Sequence, residues 1–282
     1  MTAASTLPGT IGLIGLGLMG ASLARNVRRA APGVRILAVE PREEIRARAL
    51  ADGVADEALD APGPALAACD LVVLCTPVAT IEAQLEPVSR VMKDGAILTD
   101  VGGAKESVVA HARARVRPGV AFVGAHPMFG GHGGYDGASA DKWIGGTVAV
   151  CTDGPAEPTE RVAALHAALG ARVQRCTAAE HDAAVAMVSH LPYLVAAALA
   201  SASREAGPLA MSLAGPGLRD MTRLAQFPFD IQGEVARRNG HLLGAATRLE
   251  RHLKKILGAV RESPEAARGA LEAARAAREE LF

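Results

Sequence analysis

Two stretches of this chain carry residue types and spacings fit for chemistry. In the first, Ile14-Gly15-Leu16-Gly17-Leu18-Met19-Gly20 sets glycines at the three places of a G-x-G-x-x-G turn, after the apolar run Thr10 to Ile14 and at the opening of an Ala-rich helix. Gly15 allows the tight turn, Gly17 lets backbone approach a pyrophosphate, and Gly20 packs helix against strand. Leu18 and Met19 open the helix, whose unpaired N–H groups attract the anion. Glu40, twenty positions after Gly20, ends the next apolar run, where a carboxylate accepts hydrogen bonds from the adenosine ribose. Arg42 would suit a 2′-phosphate, but Glu40 repels one, so NAD is favoured, with NADP as the alternative. Thr76-Pro77 follows the run Leu71 to Cys75 and reads equally as a cofactor contact at the sheet edge or as a plain strand terminator.

The second stretch is His126-Pro127-Met128-Phe129-Gly130, just after the run Ala121 to Ala125. Pro127 keeps its predecessor extended, which aims His126 into the crevice at the carboxyl edge of an open α/β sheet. An imidazole titrating near neutrality accepts a proton as hydride leaves the neighbouring carbon, as oxidation of an alcohol requires. On spacing alone, a strand-end histidine that merely packs fits equally well.

The elements that must position these groups follow a βαβ rhythm. Apolar runs at Thr10 to Ile14, Val34 to Val39, Leu71 to Cys75, Ala96 to Asp100, Ala121 to Ala125 and Thr147 to Cys151 alternate with helical stretches. Continuous apolar runs suit a parallel sheet covered on both faces. After Thr177 the chain turns Ala-, Leu- and Arg-rich and reads as all helix, broken at Gly207-Pro208, Gly215-Pro216-Gly217 and Phe227-Pro228. The fold class is therefore α/β, a doubly wound Rossmann-type sheet over 1–177 followed by an all-helical domain over 178–282. Leu242, Ala246, Leu249, Leu253, Ile256 and Val260 form an apolar seam that calls for a partner helix, and a homodimer is expected there. Ser263-Pro264-Glu265 reads as the capped start of a last helix.

With 282 residues, 50% hydrophobic, the chain has ample material for a core, and 30 basic residues balance 30 acidic ones. That balance disfavours nucleic acid as a partner. Cys69, Cys75, Cys151 and Cys176 form no C-x-x-C pair and no metal-ligand spacing, so reduced thiols, no metal and a cytoplasmic location are expected. The stretch before Thr10 lacks the marks of a secretory leader. The most apolar later run, Leu194 to Ala200, falls far short of the roughly 20 residues that span a bilayer, so no membrane partner is expected.

From Ile11 to about Ala225 the chain resembles the prephenate/arogenate dehydrogenase family. The likeness is carried by the Gly15–Gly20 turn, Asp100-Val101-Gly102-Gly103-Ala104-Lys105, His126-Pro127-Met128, Glu180-His181-Asp182, Ser189-His190-Leu191-Pro192 and Gly217-Leu218-Arg219-Asp220-Met221-Thr222-Arg223. It implies that His126 takes the proton of a ring hydroxyl while hydride passes to nicotinamide and the ring carboxylate leaves as CO2. It also implies that Arg223 grips a substrate carboxylate, a task suited to a planar, permanently charged guanidinium. Asp220 either orients Arg223 or forms a solvated pair with it. Ser189 and Tyr193, four apart, share a helix face toward the substrate, while His190 packs or bonds to backbone.

Two departures from the family pattern bear on the substrate. Gly103 stands where a serine contacts the ring hydroxyl, leaving a place beside the substituent on C4, and Tyr193 replaces the second histidine of S-H-L-P-H. A 4-amino-4-deoxyprephenate substrate is therefore an alternative, since an amine needs less help from a hydroxyl network. The stretch after Ala225 lacks the family's tryptophan, and the single Trp143 reads as core. β-Hydroxyacid dehydrogenases share this style of turn but rely on a lysine, and none occurs between Lys142 and Lys254. A non-catalytic nucleotide-binding protein is disfavoured by the presence of both His126 and Arg223.

Overall fold

The computed structural model describes residues 7–131 and 133–281. Residues 1–6, on which the reading of the N-terminal stretch partly rests, lie outside them.

The sequence alternates β1 (Thr10–Ile14), α1 (Leu18–Ala30), β2 (Arg35–Val39), α2 (Glu43–Ala51), β3 (Glu57–Leu59), β4 (Leu71–Leu74), α3 (Val78–Val91), β5 (Ile97–Asp100), α4 (Lys105–Arg115) and β6 (Ala121–Val123). Six parallel strands form one sheet in the order β3-β2-β1-β4-β5-β6, the doubly wound order with its switch point between β1 and β4. The continuous apolar runs are explained by burial on both faces. Ile11, Leu13, Ile36, Ala38, Leu71 and Val73 feed one core cluster, and the intervening Ile14, Leu37, Val39, Val72 and Leu74 feed the other.

A second, three-stranded sheet was not expected. The run read as one strand from Ala121 to Ala125 breaks at Gly124, where a Cβ would press on Cys151 and Val109 at 3.3 Å and on Lys105 at 3.4 Å. Beyond it, β7 (Ala125–Pro127) pairs antiparallel with β8 (Thr147–Cys151), which pairs in parallel with β9 (Arg172–Cys176) across α5 (Ala156–Ala168). The apolar β8 is thus the centre of this sheet and no member of the large one.

The helical part follows as α6 (Ala178–Val185), a π-turn at Ala186–His190, α7 (Leu191–Glu205), α8 (Pro208–Ser212), α9 (Pro216–Thr222), α10 (Glu234–Arg238), α11 (Leu242–Glu262) and α12 (Pro264–Leu281). Ser263 caps α12, its Oγ accepting from Ala266 N at 3.1 Å. Trp143 is fully buried and donates to His166 Nδ1 at 3.0 Å. All four cysteines are free thiols.

The length argument against a membrane span is corrected. Residues 178–205 form one 28-residue helix of mean hydropathy 1.8, long and apolar enough by composition to cross a bilayer. The apolar character runs on before Leu194, through Val185-Ala186-Met187-Val188 and Leu191.

The chain divides into two compact units. The first comprises residues 1–184 together with 227–239, and the second residues 185–226 and 240–282. α10 therefore belongs with the large sheet: its Val235 joins the cluster of Ile81, Leu85 and Val108. The second unit has its own small core of Ala186, Leu191 and Ala245.

Candidate active site

The turn between β1 and α1 is tight and leaves the start of the helix open. Gly15 takes φ +95°, with the Cys75 carbonyl and the Thr76 methyl each 3.1 Å from where a Cβ would lie, and a Cβ on Gly20 would collide with the Gly15 carbonyl oxygen. A Cβ on Gly17 meets nothing within 4 Å, so backbone there stands open to a ligand. Gly17 caps α1 without a side-chain bond, leaving the N–H groups of Leu18, Met19 and Gly20 to an anion. Thr76 thus flanks the turn, its Oγ1 bonded to Gln84 at 2.8 Å, and Pro77 caps α3.

Glu40 is 3% exposed at the end of β2, and both carboxylate oxygens are engaged. Oε2 accepts from Leu16 N at 3.0 Å, tying the acid to the turn, and from Arg42 Nη2 at 3.1 Å. Oε1 accepts from Arg42 Nε at 2.7 Å and from its backbone N at 3.2 Å. Burial pushes this carboxyl up, but the bonds from Arg42 and Leu16 outweigh it and hold Glu40 below the usual carboxylate range. Glu40 and Arg42, read as rivals for the ribose substituent, are here partners.

His126 lies within β7, three residues past the end of β6, and is paired with Ala149. Its position is set by a buried ion pair. Lys105 and Asp100, both inaccessible, bond each other; Lys105 Nζ donates to the Ala125 carbonyl at 2.9 Å, and Asp100 Oδ1 accepts from Ala125 N at 3.2 Å. Both polar groups of the residue before His126 are therefore clamped.

Behind the imidazole runs a hydrogen-bond chain: His126 Nδ1 to His181 Nε2 at 2.8 Å, and His181 Nδ1 to Asp182 Oδ1 at 2.7 Å. The two rings meet edge-on, 5.0 Å between centroids. Asp182 also accepts from Lys105 N at 2.8 Å and Glu106 N at 3.0 Å, so it caps α4 from a distant part of the chain. Burial pushes its carboxyl up, yet the bonds from His181, Lys105 and Glu106 bring it below the ordinary value. Asn239 Nδ2 donates to the Asp182 carbonyl at 2.7 Å. On its other side His126 faces Gly103: a Cβ there would lie 3.5 Å from His126 Nε2 and Cε1. The place beside Gly103 is not empty, since Val235 Cγ1 would stand 3.0 Å from that Cβ.

Ser189, Tyr193, Asp220 and Arg223 lie in the second unit. Ser189 sits in the π-turn, a widening often found at functional sites, and Tyr193 follows in the first turn of α7. α7 packs against α9 and the 3-10 turn that begins at Arg223. Arg223 and Asp220 are exposed, and no ion pair joins them among the described residues. His190 is buried.

His181, Asp182 and Lys105 were visible only as members of motifs, and nothing in the sequence pointed to Val235 or Asn239. The pattern that could have flagged Asp182 is its place beside a histidine at the start of the helical region.

Two family models cover the chain almost end to end: the nucleotide-binding domain of prephenate dehydrogenase over residues 23–175, and its dimerization domain over residues 177–269. The chain belongs to the prephenate dehydrogenase family. It is 31% identical to a prephenate dehydrogenase of Bacillus subtilis over 77% of its length and 60% of the relative's, so it spans about 60% of that curated relative. It is 34% identical to a 4-amino-4-deoxyprephenate dehydrogenase of Streptomyces pristinaespiralis, with 64% of each chain covered. The arogenate dehydrogenase structure from Synechocystis superposes with a TM-score of 0.80 at 31% identity, over 97% of this chain and 100% of that one. Within this prephenate dehydrogenase family match, His126 falls inside the nucleotide-binding part, the glycine turn lies just before its start, and Ser189, Tyr193, Asp220 and Arg223 fall inside the dimerization part.

Proposed function

We propose that this chain oxidatively decarboxylates a cyclohexadienyl substrate, prephenate or arogenate, in tyrosine biosynthesis, with NAD as hydride acceptor. The observation that carries this reading is a half-buried histidine held through Nδ1 with Nε2 turned to the Gly103 side.

The cradle of Gly15, Gly17 and Gly20 fits a pyrophosphate, and Glu40 at the end of β2 suits the ribose, so these residues, with Leu18, Met19, Thr76 and Pro77 beside them, would hold the dinucleotide. When bound, nicotinamide supplies the acceptor for the hydride on C4 of the ring. His126 Nε2 takes the proton of the C4 hydroxyl as that hydride leaves. The C1–carboxylate bond then breaks, its electron pair enters the ring, and CO2 departs. The imidazolium returns its proton to the new phenol oxygen, so no net proton is released. Arg223 anchors a substrate carboxylate, with Ser189 and Tyr193 on the same packed helical unit and Asp220 one turn before it.

The second substrate reading, 4-amino-4-deoxyprephenate, is favoured by Gly103 and by the likeness to the Streptomyces enzyme. The functional division follows the sequence, with 1–177 for the nucleotide and 178–282 for substrate and dimerisation. Leu243, Leu249, Leu253 and Val260 of α11 are between 38% and 82% exposed, and a homodimer covers them. The apolar 178–205 helix then serves a soluble cytoplasmic enzyme, its first turn carrying buried His181 and Asp182.

The test is absorbance of reduced nicotinamide with prephenate, arogenate and the amino analogue, each with NAD and NADP. His126→Asn should lower kcat about 10²–10⁴-fold with little change in nucleotide affinity. Arg223→Ala should cost about 2–5 kcal/mol in kcat/KM for each accepted substrate. No turnover of any of the three, or near-normal turnover by His126→Asn, overturns the reading.

A further inference from the structure

The hydrogen bonds behind His126 form a chain whose direction is fixed at its far end. Asp182 is a buried carboxylate that takes two backbone N–H bonds from α4, so towards His181 it acts only as an acceptor. His181 must therefore carry its proton on Nδ1. In a neutral ring that makes His181 Nε2 an acceptor, and the 2.8 Å contact then requires the proton of His126 to sit on Nδ1. That tautomer makes Nε2 of His126, the atom on the Gly103 side, an acceptor.

We propose that His181 and Asp182 are positioning residues that lock His126 in the Nδ1-protonated tautomer and share the proton it takes. This rests on the reading of His126 as the base. As Nε2 of His126 gains a proton, the Nδ1 proton moves along the 2.8 Å contact toward His181 Nε2, leaving positive charge next to Asp182. One proton enters at Nε2 and one shifts between the rings. The return of the proton to the product reverses both movements. The other groups packed around the chain are the closed Lys105–Asp100 pair, Glu106 on α4, the neutral Asn239 amide, and Cys176, whose thiol is pushed up by burial and by the carboxylates of Glu180, Asp153 and Asp182.

His181→Phe tests the lock, because it removes the acceptor for His126 Nδ1 and leaves Asp182 on its α4 cap. Nitrogen NMR of histidine-labelled protein without substrate should show His126 protonated on Nδ1 in the wild type and mixed tautomers in His181→Phe. With substrate, kcat should fall about 10-fold or more, KM for the nucleotide should hold, and the acid limb of the kcat profile should move. If His181→Phe fails to fold, His181→Gln offers an amide oxygen that accepts from His126 Nδ1 but cannot take its proton, so the Nδ1 tautomer should stay while kcat falls and the acid limb moves.

A wild-type His126 protonated on Nε2, or a variant that keeps the wild-type tautomer, kcat and pH profile, overturns the proposal. A wild type that shows the expected tautomers but turns over none of the three substrates leaves the lock standing and sinks the dehydrogenase reading instead.

Discussion

The two units treat their polar and apolar groups in opposite ways. In the first, Asp100, Lys105, His181 and Asp182 are buried, and each is matched by partners of the same unit. In the second, Arg223 is exposed, and so are Leu209, Met211, Leu213, Leu243 and Leu253. A buried ion pair is tolerated only where hydrogen bonds complete it, so in the first unit the loss of one partner is costly. The second carries too little core for its apolar surface, as expected of a part whose stability and function depend on what covers it. Under the proposed function, base and nucleotide cradle are thus built in advance, while substrate anchoring and assembly fall to the second unit.

The largest test of this contrast is thermal. Lys105→Met leaves Asp100 buried without its cation and should destabilise the first unit by about 3–5 kcal/mol, read as a fall in Tm. Lys254→Met in the second unit breaks only the exposed pair with Glu250 and should leave Tm where it was. Equal shifts would erase the distinction. An intermediate effect is expected at the assembly surface. Leu253, 53% exposed, replaced by glutamate should weaken dimerisation by about 2–3 kcal/mol or more, seen in sedimentation as monomer at micromolar concentration. A wild type that is itself monomeric would show that the exposed leucines serve no second copy.

The smallest effect sharpens the nucleotide end. Because Arg42 occupies lone pairs on both oxygens of Glu40, it competes with ribose hydroxyls for them. Arg42→Ala should lower KM for NAD and raise it for NADP, each by a few-fold, since the cation for a 2′-phosphate goes too. The sign also sets a pH dependence. Glu40 is held low by Arg42, so its stabilising bonds are complete above the ordinary carboxylate range and are lost as pH falls through its depressed value. In Arg42→Ala that loss should begin at higher pH, measurable in nucleotide affinity.

Much of the first unit was legible because its signals are local. The glycine turn, the acid after β2 and the two-face apolar strands each follow from neighbours in sequence. β3 escaped notice because three residues, Glu57 to Leu59, at a sheet edge carry no apolar run, and β9 because Arg172-Val173-Gln174-Arg175-Cys176 is half solvated. Gly124 hid a change of sheet inside one apolar stretch. Around His126, the histidine itself could be picked out, but not the residues that hold it. Asp182 reaches Lys105 across 77 positions, and Asn239 reaches Asp182 across 57, distances over which spacing conveys nothing. Val235 is the sharpest case: a valine on a short helix that ordinary patterning assigns to the helical half lies against Gly103 of the first.

The excursion of residues 227–239 into the first unit has a consequence for anyone who would take this chain apart. No single cut separates the halves. A fragment ending near residue 177 loses Val235 and Asn239, and with them the wall beside Gly103 and the bond to the backbone of Asp182, before His181 and Asp182 themselves are counted. Chimaeras that graft a relative's helical half onto the sheet-bearing half must therefore carry 178–184 and 227–239 along as native cargo, or leave His126 without its support.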